Sequence, residues 1–334
     1  MRYAAHAMAT TELPVPLAAS FDAPPQPVHK MTLSDIVRLV ALAAIWGGSY
    51  MLMRYAAPFI DTAWLSELRV GLAAIAMLAY ARFAGVELRV RERWRIYAVM
   101  GVINTALPWS MYAWAGHHIS ASYMAILNAT TPWFSAACGA IWLGEAFTPR
   151  KSTGLVLGVV GVVLLVGLGP IALSGDVMLA IAFAILASLC YALSGVYAKK
   201  NVIDVPPLAL TAGNLTAASF IILPFVPGLP PAALFDSWQL PAVVLALALV
   251  CSAAAFLIYY RLLADIGPTR ALTVTFLIPV FGVLFGAVFL GEAVTLSTLS
   301  GGALIIAATA LVAGGGATGA TRATRATNGG QEKR

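Results

Sequence analysis

Ten apolar blocks follow one another along this chain, at about residues 34–54, 62–82, 95–116, 120–143, 151–170, 175–197, 206–227, 239–261, 269–290 and 295–314. Each is close to the ~20 residues that a helix needs to cross a bilayer. The blocks therefore predict an all-α integral membrane protein with ten transmembrane helices. Composition agrees: 60% of the 334 residues are hydrophobic and 10% are charged, against about 25% charged in a soluble domain. A soluble fold would lack the polar surface to cover such a core.

The net charge of +6 does not point to nucleic acid. The basic residues sit at block ends, with no basic stripe interleaved with aromatics. With the N-terminus placed in the cytoplasm, all but two of the 20 Lys and Arg residues fall on the cytoplasmic side. The two are Arg54, outside, and Arg69, within the second block. This bias predicts both termini in the cytoplasm. Arg38, inside the first block, is expected to extend its side chain to the headgroups. Cys138, Cys190 and Cys251 lie inside apolar blocks without metal or disulfide spacing, and the four histidines form no ligand cluster. No cofactor and no metal is expected. Residues 1–30, rich in Pro and Ala, and 315–334, with a Thr-Arg-Ala repeat, read as disordered cytoplasmic tails.

The chain also contains a copy of itself. Ile119–Gly154 matches Ile266–Gly301 at an offset of 147, pairing Pro132 with Pro279, Gly139 with Gly286 and Leu143-Gly144-Glu145 with Leu290-Gly291-Glu292. Tyr112 pairs with Tyr259. Further upstream an offset of 145 pairs Trp46 with Tyr191, Arg54 with Lys199 and Arg69 with Asn214. The units are residues 31–172 and 173–314. Each has five helices, an odd number, so the second copy must be inverted in the membrane. Inverted repeats are a recurrent transporter architecture, with the substrate site between the halves.

With its order and repetition, this set of features resembles an EamA-type member of the drug/metabolite transporter superfamily. The residues that carry the resemblance are Ile45-Trp46-Gly47-Gly48-Ser49, Arg69, Ile119-Ser120-Ala121, Pro132 with Leu143-Gly144-Glu145, and the second-half echo from Pro279 to Glu292. The resemblance covers about residues 35 to 314. It implies a ten-helix bundle in the cell membrane that exports or exchanges amino acids and related metabolites, without implying one substrate. It also puts Trp46 at a recurrent family position.

Candidate pathway residues follow from spacing. Thr105, Trp109 and Tyr112, at i, i+4 and i+7, share one helix face. The repeat puts Ser252, Phe256 and Tyr259 on the matching face of the eighth helix. Rings would supply contact area and hydroxyls orientation, or the faces are ordinary packing. For Tyr112, near a helix end, an interfacial belt is the favoured alternative. Trp46 and Tyr50 are i, i+4 neighbours, with Tyr191 as the repeat mate of Trp46. They line a pathway or fill gaps beside Gly47 and Gly48. Asn128, Thr130 and Thr131 precede Pro132, and Thr273 and Thr275 precede Pro279, so two symmetric kinks are expected as hinges. Their hydroxyls either line a binding wall or satisfy the kinked backbone. Arg69 and Asn214 are candidates inside the membrane. Arg69 anchors a substrate carboxylate or pairs structurally with another helix. Glu67 is too close in sequence to face it. Glu145 and Glu292, at helix ends, read as packing or capping residues. Gly154, Gly158, Gly161, Gly301 and Gly302 allow close helix contact within the chain, with a homodimer face as the alternative.

The expected partners are a small-molecule substrate and the lipid bilayer. A membrane-embedded enzyme would need a nucleophile–base or metal cluster, and no such spacing is present. A ligand sensor would carry a soluble output domain.

Overall fold

The computed structural model describes residues 31–167, 174–202, 204–271 and 273–313. The expected tails and the expected boundary between residues 172 and 173 lie outside them. The described residues are helical, with no strand among them. Helices α1 (Leu33–Ala56) and α2 (Thr62–Phe83) come first. Then α3 (Val90–Met100), a π-helical segment (Gly101–Ala106) and α4 (Leu107–Ala115) form one rod. The fourth block contains α5 (Ala121–Asn128) and α6 (Thr131–Leu143), and α7 (Pro149–Gly167) follows. The second half has α8 (Gly175–Asn201), α9 (Pro207–Ile222) with a 3-10 turn (Leu223–Phe225), and the short α10 (Ala233–Asp236). A second rod joins α11 (Gln239–Leu245), a π-helical segment (Ala246–Ala254) and α12 (Ala255–Ile266). The chain continues through α13 (Pro268–Ala271), α14 (Val274–Leu290) and α15 (Leu296–Ala313). Six helical runs are long and apolar enough to cross a membrane, and Val274–Leu290 and Leu296–Val312 are shorter apolar helices. Ile141, Val156, Val163, Phe220, Val288 and Phe289 stand exposed on the outside. An apolar skin of this extent suits lipid rather than water.

Several rods run past their apolar blocks. Val90 starts α3 ahead of residue 95, and α8 continues through Lys199 and Lys200 to Asn201. Charged residues propagate a helix well once it has started, so apolarity marks the span rather than the helix end. Starts are set by caps. Thr32 and Asp35 form a capping box on α1, and Asp61, Ser120 and Ser174 accept first-turn N–H bonds of α2, α5 and α8. The Leu-Gly-Glu triplets are stops. Gly144 and Gly291 sit at φ of 67° and 66°, and the N–H groups of Glu145 and Glu292 donate back to Gly139 O and Gly286 O at 3.1 Å. That is a Schellman-type stop, for which glycine carries no steric penalty.

The main helix contacts map onto themselves when the halves are exchanged. α1 packs on α14, and α8 on α5 and α6; α4 packs on α8, and α12 on α1. The first π segment packs on α9, and the second on α2, while α2·α9 and α7·α15 are their own counterparts. In α7·α15 the expected glycines meet inside the chain: a Cβ on Gly301 would lie 2.9 Å from Gly161 O and 2.9 Å from Leu165 N.

The two prolines sit differently in their helices. α5 ends at Asn128 and α6 restarts at Thr131, which puts Pro132 in a first turn where its missing N–H is harmless. Pro279 lies inside an uninterrupted α14. The reason is in the hydroxyls. Thr130 and Thr131 donate to Leu127 O (2.7 Å) and Asn128 O (2.8 Å), and Thr309 donates to Ala129 O (2.7 Å). The repeat mates of Thr130 and Thr131 are Leu277 and Ile278, which cannot satisfy freed carbonyls. Arg38 forms an ion pair with Asp265. Its Nη1 donates to Asp265 Oδ2 at 2.5 Å, which ties α1 to α12.

Gly301→Leu is expected to cost about 1–3 kcal/mol, read as a lower melting temperature in detergent. The neighbouring Gly302→Ala would meet only the flexible end of Ile126, at 3.2 Å, and should melt close to the parent.

Candidate functional site

α2 carries Arg69 into the middle of the bundle, where it is 6% exposed. Its Nε donates to Ser252 Oγ at 3.2 Å and its Nη1 to Met53 Sδ at 3.3 Å. The guanidinium carbon lies 4.0 Å from the centroid of the Trp109 ring, a cation–π contact. Ser252 is held in the second π segment, where its hydroxyl also donates to Leu247 O at 2.8 Å. Around this group, Tyr50 packs edge-on to Tyr112 with centroids 5.2 Å apart. The Tyr112 hydroxyl lies 3.2 Å from Ala184 O and 3.3 Å from Asn128 Oδ1. Tyr191 of α8 brings its hydroxyl beside Trp109. The cluster thus draws on α1, α2, α4, α8 and the second π segment.

Arg69 has no carboxylate within ion-pair distance among the described residues. A buried charge is normally paired, because desolvation costs several kcal/mol per ion. Glu67, two residues away, faces elsewhere: its Oε1 accepts from Ser219 of α9, and its Oε2 has no protein partner among the described residues.

The other candidates divide. Trp46 packs against Phe256 (6.3 Å) and Tyr259 (5.4 Å), and Phe256 stacks on Tyr260 (6.0 Å), forming a second aromatic group between α1 and α12. Tyr260 shares a hydrogen bond with Thr211. Thr105, in the first π segment, bonds Asn214 Oδ1 at 3.4 Å. Thr275 is half-buried on α14. The belt expected at Tyr112 is not found: Tyr112 is 2% exposed, because the rod crosses the bundle there instead of skirting its rim. The hydroxyls around Pro132 serve the helix break, so of that group only the Asn128 side chain reaches the cluster. Met53 was missed, although Trp46, Tyr50 and Met53 follow i, i+4, i+7 on one face. The π segments have no sequence signature of their own. They do occupy equivalent positions, since the offset of 147 that pairs Thr105 with Ser252 overlays them; such segments concentrate at functional sites.

The repeat mates Glu145 and Glu292 make different contacts. Glu292 accepts from Ala121 N (2.6 Å), Ser122 N (3.0 Å) and Ser122 Oγ (2.6 Å), so it caps α5 from across the bundle. A Cβ on Gly286 would lie 2.3 Å from Glu292 Oε2, so glycine there makes room for the carboxylate. Glu145 instead pairs with Lys199 at 3.0 Å and Lys151 at 3.9 Å. Arg54, the mate of Lys199, donates to Gly116 O at 2.7 Å. A surface pocket of about 340 Å³ opens between Arg54, Tyr55, Ser120 and Glu292. It lies at the cap of α5, away from Arg69.

An all-helical, apolar-skinned bundle whose polar centre is shared by both halves of the chain is a multi-pass membrane protein of transporter type. The chain belongs to the EamA-like transporter family, whose model matches residues 34–167 and 178–314. The uncharacterized transporter YvbV of Bacillus subtilis is 25% identical over 278 residues, covering 82% of this chain and 90% of that protein. The uncharacterized inner membrane transporter YedA of Escherichia coli K12 is 28% identical over 281 residues, covering 82% and 88%. A probable terminal-alkyne amino-acid exporter of Streptantibioticus cattleyicolor is 24% identical over 285 residues, covering 84% and 94%. One solved crystal structure superposes with a TM-score of 0.60 at 17% identity, over 84% of this chain and 96% of the other. That likeness shows the fold.

Glu292→Gln is expected to lower stability by about 1–3 kcal/mol, the range for hydrogen bonds to a charged group. Gly286→Ala should act through the same cap. In a thermal-melt double-mutant cycle the two losses should therefore fall short of additive.

Proposed function

We propose that this protein is a secondary transporter, an exporter or exchanger, of small metabolites such as amino acids or related amphipathic solutes. It works by alternating access between two inverted five-helix repeats, residues 31–172 and 173–314. The ten spans cross the cell membrane with both termini in the cytoplasm. The observation that carries the reading is the buried polar cluster at Arg69, built by helices from both family-matched segments. A site shared in this way changes its exposure when one half rocks against the other. The exchange symmetry of the helix contacts supports the inversion, and the distribution of Lys and Arg supports the orientation. The amino-acid exporter among the relatives supports the solute class.

Counterflow in proteoliposomes, with a panel of amino acids, organic acids, amines and neutral solutes, tests transport. At least one class should exchange against its own kind. Exchange of none would remove the transport reading. Trp109 is buried against Arg69, so Trp109→Ala would open a cavity and lose about 3–5 kcal/mol. Trp109→Phe keeps most of the volume and is the cleaner variant: it should fold and transport more slowly.

Orientation is tested separately. Single cysteines placed between residues 84 and 89 should resist an impermeant maleimide applied to intact cells and react once the membrane is opened. Strong labelling from outside would reverse the assignment.

A further inference from the structure

Among the described residues no carboxylate answers the charge of Arg69. A guanidinium keeps its proton in any protein setting, and its bonds here go to a neutral hydroxyl and a thioether. Two of its five N–H groups are used in this way. Arg69 is also the only Lys or Arg among the buried described residues, so the cluster can answer one negative charge and not two. The planar N–H fork fits a carboxylate in bidentate fashion. Around it, Trp109, Tyr50, Tyr112 and Tyr191 present rings, which suit an apolar or aromatic body. None of the nearby acidic groups is paired with Arg69. Glu67 turns to Ser219 on α9, Glu292 holds the start of α5, and Glu145 holds Lys199. An ammonium group entering the cluster would meet a like charge and no carboxylate, and the Trp109 face that could receive it is already covered by Arg69.

We propose that Arg69, stacked on Trp109, binds the carboxylate of a monoanionic substrate with an apolar body, and that the site prefers such acids to amines, to amides and to zwitterions. This rests on the transport reading; of the solutes named there it selects the related amphipathic acids and ranks amino acids, as zwitterions, below them. The substrate's carboxylate supplies the counter-charge that the protein withholds, so the fully paired site exists only when loaded. Arg69 as a mere pin between α1, α2 and the second π segment would show no preference between an acid and its uncharged isostere.

The test uses the purified full chain and four probes of one shape: 3-phenylpropionate, 3-phenylpropionamide, phenylalanine and phenethylamine. Each is assayed by thermal shift in detergent and by inhibition of 3-phenylpropionate counterflow in proteoliposomes. The acid should raise the melting temperature. The amide and the amine should act roughly ten- to a hundredfold more weakly, the loss expected for a charge-assisted hydrogen-bond pair. Phenylalanine should also be weaker than 3-phenylpropionate. Arg69→Gln should erase the preference of acid over amide, and Arg69→Lys should keep part of it, since a point charge lacks the fork. Equal responses to acid and amide in the wild type would overturn the inference. So would an unchanged acid preference in Arg69→Gln. Phenylalanine equal to 3-phenylpropionate would overturn the exclusion of ammonium. Should Arg69→Gln fail to fold, the wild-type comparison decides alone. Exchange of amines or amides but not acids would sink this inference and leave transport standing. An acid-dependent thermal shift without any exchange would do the reverse.

Discussion

A backbone N–H or C=O left without a partner in hydrocarbon costs several kcal/mol, and the irregular parts of this bundle are arranged around that cost. Where α5 gives way to α6, three carbonyls lose their helical partners. Thr130, Thr131 and Thr309 each supply a hydroxyl. At the second π segment, Ser252 bonds the Leu247 carbonyl. At the start of α5, the Glu292 carboxylate takes two N–H groups and a hydroxyl. These three departures from plain α-helix are thus each paired with polar side chains placed to absorb them. The repeat keeps its proline in both copies, but the break falls just before Pro132 in the first and between Ala271 and Val274, further ahead of Pro279, in the second.

Against this background of satisfied groups, Arg69 stands out. Its hydrogen bonds and its ring contact are made to uncharged partners, in a location reached by helices of both halves. Neutral partners orient a guanidinium without neutralising it. Ser252, Met53 and Trp109 aim it. A buried charge without a paired charge costs stability, and an ionisable side chain at membrane depth is a functional candidate by default.

The repeat-related carboxylates differ in their surroundings. Glu145 and Glu292 sit on identical stops, Leu-Gly-Glu after a glycine six residues earlier, yet one faces lysines and the other a helix start. α1 and α14 approach closely at Gly47, where a Cβ would meet Ile278 O at 2.8 Å.

Much of the architecture was legible in the chain, because hydrophobic length, caps and basic residues at block ends act locally. The blocks, the duplication and the Leu-Gly-Glu stops could be read directly, and Arg69, Trp109, Tyr50 and Ser252 could be nominated as residues of interest. The sequence could not say which nominees meet. Trp46, Phe256 and Tyr259 form a separate aromatic group, Thr130 and Thr131 turn inward to their own backbone, and Tyr112 sits in the core instead of a rim. It also could not show the π segments, whose geometry depends on neighbouring helices more than on any residue in them. Local chemistry by itself determined a duplicated membrane bundle with one unusual cation. Only the tertiary packing decided that this cation lies on Trp109 with no carboxylate of the described residues in reach, since charge pairing across helices depends on distances that no one-dimensional pattern contains.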